Sequence, residues 1–194
     1  MAQSRRYKVL VRRLEQLRSR MLPRKFSPTG DYTPVQLDRT RGYRLLAHAE
    51  IEAFLEDRAS DLVHKAFNSW HMDSKPRHTI TTLLAFCRVA DKNYGTVADC
   101  VGAAFATFNY VVRNNHGVKE DDILKFLLPS GVDKGQLDAT WLSTLSSFGA
   151  ARGEVAHSSV RVHQPIDPRS EYDTVSNKIL PGIRDLDELM TKIR

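Results

Sequence analysis

The segment from residue 40 to residue 71 constrains the fold most, because it contains no proline and no glycine after Gly42. Its apolar residues recur at the spacing of a single helix face. They are Ile51, Leu55, Leu62, Ala66 and Phe67. This pattern predicts one long helix, which ends where Ser74-Lys-Pro76 interrupts it.

The rest of the chain gives the same kind of signal in shorter pieces. Periodic segments separated by glycine and proline predict further helices. They cover approximately residues 4–22, 96–114, 121–128, 136–157 and 171–194, and Pro181-Gly182 is predicted to break or kink the last one. Residues 79–92 fit a strand or a helix, and their leucines favour a helix. The sequence therefore predicts an all-α fold, a bundle of five or six helices in an up-and-down arrangement, with an extra basic N-terminal helix.

Positive charge is concentrated at the N-terminus. Residues 1–25 carry a net charge of +8, whereas the remaining residues carry −2. We predict a basic amphipathic helix within residues 1–25, a proline-containing linker over 26–38 and a helical domain over 39–194. The helix has an apolar stripe of Leu10, Leu14, Leu17 and Met21.

Three interpretations of this basic helix stay open. Its cations can bind RNA phosphates, which makes binding salt-sensitive; the candidate residues are Arg5, Arg6, Lys8, Arg12 and Arg13. Its leucine stripe can instead pack on the bundle or on a partner protein. A membrane surface is disfavoured, because the apolar face lacks Trp and Phe.

Composition narrows the class of protein. No run of about 18 apolar residues suggests a transmembrane helix, and the basic N-terminus lacks the apolar core of a secretory signal. Cys87 and Cys100 are too few for a disulfide framework and have no zinc-ligand spacing. We expect a cytoplasmic protein with no metal site and no cofactor.

The most informative segment for chemistry runs from Phe148 to His157. It places Arg152 five residues before His157 near the end of a predicted helix. Imidazole exchanges protons near neutral pH, and guanidinium binds phosphate oxygens. This pair suits cleavage of RNA through its 2′-OH without a metal ion.

Three stretches of the body resemble the HEPN superfamily, and within it the RiboL-PSP type. The first is Leu45–Leu55 on the long helix. The second is Asn115–Lys119 followed by Leu127–Val132. The third, Arg152–His157, matches the family motif of an arginine and a histidine separated by four to six residues.

The resemblance implies a helical bundle that dimerises, so that the Arg/His motifs of two protomers form one site. It implies a metal-independent endoribonuclease in which Arg152 and His157 are catalytic, often within a toxin–antitoxin or phage-defence system that supplies a cognate antitoxin or defence protein as partner. Many active members have Asn, Asp or His directly after the arginine, where this chain has Gly153. A non-catalytic dimer that binds a partner protein or RNA is therefore the alternative hypothesis.

Other residues near the motif have candidate supporting roles. Glu154 is placed to orient His157, and His48 borders the apolar face of the long helix with Glu52 one turn later. These three residues are candidates to support the catalytic pair. The alternatives are a solvated Glu154 and a half-buried His48 whose hydrogen bonds are satisfied within the fold. Gly149, Gly153 and Ala156 form a stripe of small residues, which predicts close approach of a second protomer.

Overall fold

The computed structural model describes residues 3–87, 95–157 and 166–193, and all regular structure in these ranges is helical. The prediction of an all-α fold is confirmed. The α-helices are α1 (Arg5–Met21), α2 (Pro34–Asp73), α3 (His78–Phe86), α4 (Val97–Arg113), α5 (Glu120–Leu127), α6 (Ala139–His157), α7 (Pro168–Asp173) and α8 (Leu180–Lys192). A 3₁₀ turn at Lys134–Gln136 precedes α6, and a π-helical segment at Thr174–Ile179 joins α7 to α8 without a break.

The long helix α2 begins earlier than its apolar pattern predicts, at Pro34 and not near residue 39. The Thr33 hydroxyl accepts a hydrogen bond from the backbone nitrogen of Gln36, and the Gln36 side chain accepts one from the backbone nitrogen of Thr33. This capping box, with proline in the first turn, starts the helix ahead of the segment that the apolar pattern marks. The predicted linker over 26–38 therefore ends at Thr33.

Two other helix boundaries also differ from prediction. Helix α6 begins at Ala139 because the Asp138 carboxylate accepts a hydrogen bond from the backbone nitrogen of Trp141 at 2.7 Å. The C-terminal helix begins at Pro168, where Asp167 caps the backbone nitrogen of Ser170 at 2.8 Å. Both starts follow the rule that Asp at the N-cap satisfies a backbone N–H that has no partner within the helix.

The N-terminal helix α1 is part of the bundle. Its residues Tyr7, Leu10, Leu14 and Leu17 are buried in the same apolar core that contains Ile51 of α2. Packing on the bundle is thus the arrangement that the leucine stripe adopts. The predicted boundary between residues 1–25 and the domain over 39–194 therefore does not separate two packed units. The charge pattern on which it was based describes only the outer, solvent-facing side of α1.

A buried ion pair ties α1, α2 and α8 together. The Arg58 guanidinium donates to the Asp187 carboxylate at 2.7 Å, and the backbone nitrogen of Ser4 donates to the other Asp187 oxygen at 2.8 Å. Asp187 is fully buried. These hydrogen bonds satisfy a charge that would otherwise be costly to bury, and they fix where α1 starts.

No helix within the described ranges is both long enough and apolar enough to cross a membrane.

Candidate functional site

The last turns of α6 carry the Arg/His motif and lie against α2. The side chain of Phe148 stacks on the His48 ring, with ring centroids 5.9 Å apart. Three residues further along α6, the Ala151 carbonyl accepts a hydrogen bond from Arg44 at 3.3 Å. Arg44 is itself held by an ion pair with Glu171 of α7. Two residues of α2, His48 and Arg44, therefore hold the turn of α6 that leads into Arg152.

His48 is a buried polar residue directly beneath this part of α6. Its ring is 1% exposed, and its Nδ1 atom has no hydrogen-bond partner among the described residues. One turn later on α2, Oε2 of Glu52 lies 3.5 Å from Nδ1. Burial, and secondarily the positive charge of Arg152, lower the pKa of His48 to about 4. His48 is therefore neutral at physiological pH.

Glu52 lies in a crowded polar corner formed by α2, α5, α6 and the α4–α5 loop. Burial and the neighbouring Glu56 raise its pKa, whereas Arg152 and His116 oppose the rise. The Asn115 amide donates to Glu56 at 2.7 Å and lies 3.5 Å from Glu52. The corner thus brings two carboxylates on adjacent turns of α2 within reach of the Asn115 amide. The positive charge of Arg152 acts on Glu52.

The structure brings together parts of all three stretches that carry the resemblance. His48 and Glu52 belong to the first stretch, Asn115 to the second and Arg152 to the third. The remainder of the second stretch, Leu127–Val132, packs elsewhere: its backbone carbonyls at Pro129, Ser130 and Gly131 face side chains of α3. We refer to His48, Glu52, Asn115 and Arg152 as the Arg152 site.

Sequence reasoning did not assign Asn115 or Glu56 to a site. The signal for Asn115 was its position just beyond the C-cap of α4, within a stretch already singled out. Glu56 lies one turn after Glu52 on α2, so helical spacing alone places both carboxylates on one face. Which face of α2 meets α6 is set by packing, and the sequence pattern did not reveal it.

The structure describes the side chain of Arg152 but not that of the predicted catalytic histidine. His157 is the last residue of α6, and its side chain lies outside the described residues, as does that of Ala156. Glu154 is exposed. The catalytic role of His157 and the supporting role of Glu154 stay predictions.

The stripe of small residues on α6 divides between two environments. A methyl group at Gly149 would lie 3.3 Å from Cγ of Lys119, so this glycine permits close contact with the chain's own α4–α5 loop. A methyl group at Gly153 would meet nothing within 4 Å. Gly149 is thus used within the protomer, whereas a methyl group at Gly153 would have room among the described residues.

The described ranges bring no three His, Cys, Asp or Glu side chains together in a way that could hold a metal ion. The chemistry available at the Arg152 site from the described side chains is that of a cation, a neutral imidazole, an amide and the carboxylate of Glu52. Such a set can bind an anion at the guanidinium and accept hydrogen bonds at the carboxylate.

The predicted RNA-binding cations of α1 fall into two groups. Arg6 forms ion pairs with Asp57 and Asp61, and Arg13 pairs with Glu50 at 2.7 Å. These α2 carboxylates neutralise part of the positive charge. The other three predicted cations, Arg5, Lys8 and Arg12, are exposed. The basic surface available to a polyanion is therefore narrower than the sequence suggested.

No family model, curated protein or solved structure matches this chain.

Proposed function

We propose that the protein is a metal-independent endoribonuclease of the HEPN type that acts as a homodimer. The observation that carries this proposal is the packing of three distant stretches. Phe148, one turn before Arg152, stacks on His48, and Asn115 lies 3.5 Å from Glu52. These stretches are the ones on which the resemblance rests. Their contact supports the view that residues 148–157 form a site and not merely a helix end.

In the proposed reaction, the ribose 2′-oxygen attacks the adjacent phosphorus, and the bond from phosphorus to the 5′-oxygen of the next nucleotide breaks. His157 of one protomer accepts the 2′-OH proton, and His157 of the other gives a proton to the leaving 5′-oxygen. Arg152 binds the scissile phosphate and stabilises the charge that builds up on it. The products are a 2′,3′-cyclic phosphate and a 5′-OH end.

The dimer is part of the proposal, because one His157 cannot serve both proton transfers at once. The open space beside Gly153 supports an approach of the second protomer at the end of α6. The exposed cations Arg5, Lys8 and Arg12 of α1 supply sequence-independent attraction for RNA. A toxin–antitoxin or phage-defence system, with a cognate partner protein, is the setting that the resemblance suggests.

The test is cleavage of a mixed RNA pool by the full chain, with and without EDTA, and with analysis of the new ends. We expect cleavage that EDTA does not affect and ends that carry cyclic phosphate. The variant His157→Ala should lose about 10²–10⁴-fold in rate, and Arg152→Ala about 10²–10³-fold. The exposed residues His71 and Lys65 provide matched controls, and their alanine variants should cleave as the wild type does.

Cleavage that EDTA abolishes and magnesium restores would refute the mechanism. Activity that survives in His157→Ala would assign the base to another residue. If RNA binds but no RNA is cleaved, the non-catalytic dimer is the better account. In that account Gly153 replaces the polar residue that many active members have after the arginine.

A further inference from the structure

A groove runs along the side of α1 that faces the C-terminal helices. One hollow, of about 380 Å³, lies beside Lys8 and Arg12, and a second, of about 140 Å³, lies beside Arg18. Both are lined by Val11 and Leu180, so they form one continuous groove between α1 and the segment that joins α7 to α8. We call it the α1–α8 groove and define it by Lys8, Arg12, Arg18, Tyr172, Ser176 and Leu180.

Positive charge dominates the α1 side of this groove. Lys8 and Arg12 lie one turn apart on α1 and are both exposed, and Arg18 follows at the other end. Of the described side chains that line the groove, Glu15 is the only acidic one. A chain of phosphates that enters the groove therefore meets three cations and one carboxylate, a balance that favours binding of a polyanion.

The end of the groove beside Arg18 is aromatic. The guanidinium carbon of Arg18 lies 5.6 Å from the centroid of the Tyr172 ring and 5.5 Å from that of Phe26. The two rings are partly exposed, with centroids 5.9 Å apart. One N–H of Arg18 donates to the Arg24 carbonyl at 3.4 Å, and a guanidinium has further N–H groups that can bind phosphate. Aromatic rings and guanidinium planes are the surfaces on which unpaired RNA bases stack.

This aromatic end is linked to the end of α6 through a single side chain. Glu171, the residue before Tyr172, accepts a hydrogen bond from Nε of Arg44 at 2.8 Å. The Ala151 carbonyl accepts one from Nη1 of the same guanidinium at 3.3 Å. One guanidinium therefore spans the distance between α7 and the residue before Arg152. The groove thus ends beside the part of α6 that carries the Arg/His motif.

We infer that the α1–α8 groove binds single-stranded RNA, with phosphates at Lys8, Arg12 and Arg18 and an unpaired base stacked on Tyr172. The inference rests on the proposed function, because it takes RNA to be the substrate, and it adds the path by which the strand reaches Arg152. The strand is single because a base in a duplex cannot turn its face to the tyrosine ring. Binding in the groove tolerates any sequence, since every base has a face that can stack.

The phosphate contacts are tested by fluorescence anisotropy over a range of salt concentrations. The probe is a fully 2′-O-methylated single-stranded RNA, which cannot be cleaved through its 2′-oxygen. We expect Arg12→Ala to weaken binding and to reduce the slope of log Kd against log salt by about 0.7, the value for one phosphate contact on a single strand. Arg20→Ala is the matched control, because Arg20 is exposed on the same helix and does not line the groove. Its slope should equal that of the wild type.

The stacked base is tested at Tyr172. We expect Tyr172→Leu to weaken binding of the same RNA by at least about fivefold, and Tyr172→Phe, which keeps the ring, to bind as the wild type does. Tyr110→Leu is the control, because Tyr110 is 68% exposed on α4 and lies outside the groove. An abasic strand of equal length should bind wild type and Tyr172→Leu equally. Thermal melts identify any variant that does not fold, and the exposed Arg12 decides the inference should Tyr172→Leu fail to fold.

The combined results separate the groove from the catalytic proposal. A reduced salt slope in Arg12→Ala together with a base-dependent loss in Tyr172→Leu supports the inference. If the wild type cleaves RNA but a folded Tyr172→Leu binds it as tightly as the wild type does, the groove is not the RNA path and the proposed function stands. If both groove variants lose affinity but the wild type cleaves no RNA, the groove binds RNA and the proposed catalysis fails. A wild type without affinity for RNA overturns both.

Discussion

Gly182 has no side chain because the indole of Trp141 occupies the space where one would lie. A methyl group at Gly182 would lie 2.3 Å from Cδ1 of Trp141. The indole is held there by a hydrogen bond from its Nε1 to the Ile179 carbonyl, at 3.1 Å. That carbonyl lies at the end of the π-helical segment, next to Pro181, where the regular helical bonding pattern is interrupted. The Pro181-Gly182 pair was predicted only to break or kink the helix. It also gives the Trp141 indole of α6 a place to pack.

At this residue we predict that Gly182→Ala destabilises the protein by about 1–3 kcal/mol, because the ring must shift out of a packed position. The matched control is Gly102→Ala in α4, where a methyl group would meet nothing within 4 Å. That change should be neutral or stabilising by roughly 0.5–1 kcal/mol, since alanine loses less entropy than glycine in a helix. Urea unfolding of both variants measures the difference. Equal stabilities would contradict the packing described.

At the scale of elements, α1 combines two roles on its two faces. The inner face contributes Tyr7, Leu10, Leu14 and Leu17 to the core. The outer face carries the exposed cations, and between the faces Arg6 and Arg13 pair with carboxylates of α2. Although its charge alone suggested an appended RNA-binding segment, α1 is bound to α2 by apolar burial and by ion pairs.

We therefore predict that Leu14→Ala lowers the free energy of unfolding by about 2–5 kcal/mol, the usual cost of emptying a buried leucine site. Leu14 is 5% exposed, whereas Val9 on the outer face of the same helix is 55% exposed. The control Val9→Ala should change stability by less than about 0.5 kcal/mol. Thermal and urea unfolding give both values. A Leu14→Ala protein as stable as the wild type would show that α1 adds nothing to the fold.

For the molecule as a whole, His48 makes the free energy of unfolding depend on pH. Its pKa is lowered to about 4 in the folded protein, against about 6.5 in an unfolded chain. The unfolded state therefore binds a proton more readily, and stability falls as the pH drops from about 6.5 toward 4. Glu52 and Glu56 act in the opposite direction, because their raised pKa values make the folded state take up protons first.

Comparison with a variant isolates the part of this pH dependence that is due to His48. We predict that the wild type loses about 2–3 kcal/mol more stability between pH 7 and pH 4 than His48→Leu does. The exposed residue His71 supplies the control, and His71→Ala should follow the wild-type pH profile. Urea unfolding at the two pH values measures the loss. Parallel profiles for wild type and His48→Leu would refute a neutral, buried His48.

The sequence alone determined the helical character of the protein, because apolar spacing and helix-stopping residues are local signals. The leucine stripe of α1 and the unbroken helix over residues 40–71 of α2 were predicted in this way. The early start of α2 could also have been predicted from the sequence, since Thr33, Pro34 and Gln36 form a recognisable capping sequence. The chemistry of Arg152 was suggested by residue types and by resemblance.

Only the tertiary structure decided what surrounds Arg152. His48 lies far from it in the sequence, and the stacking of Phe148 on His48 depends on which helix faces pack together. The same packing brings Asn115 to Glu52 and Glu56. The same holds for Arg6 and Arg13, whose partners on α2 were not identifiable from composition. The physical reason is that periodicity fixes which face of a helix is apolar. It does not fix which neighbour covers that face, so contacts between distant residues emerge only when the helices are assembled.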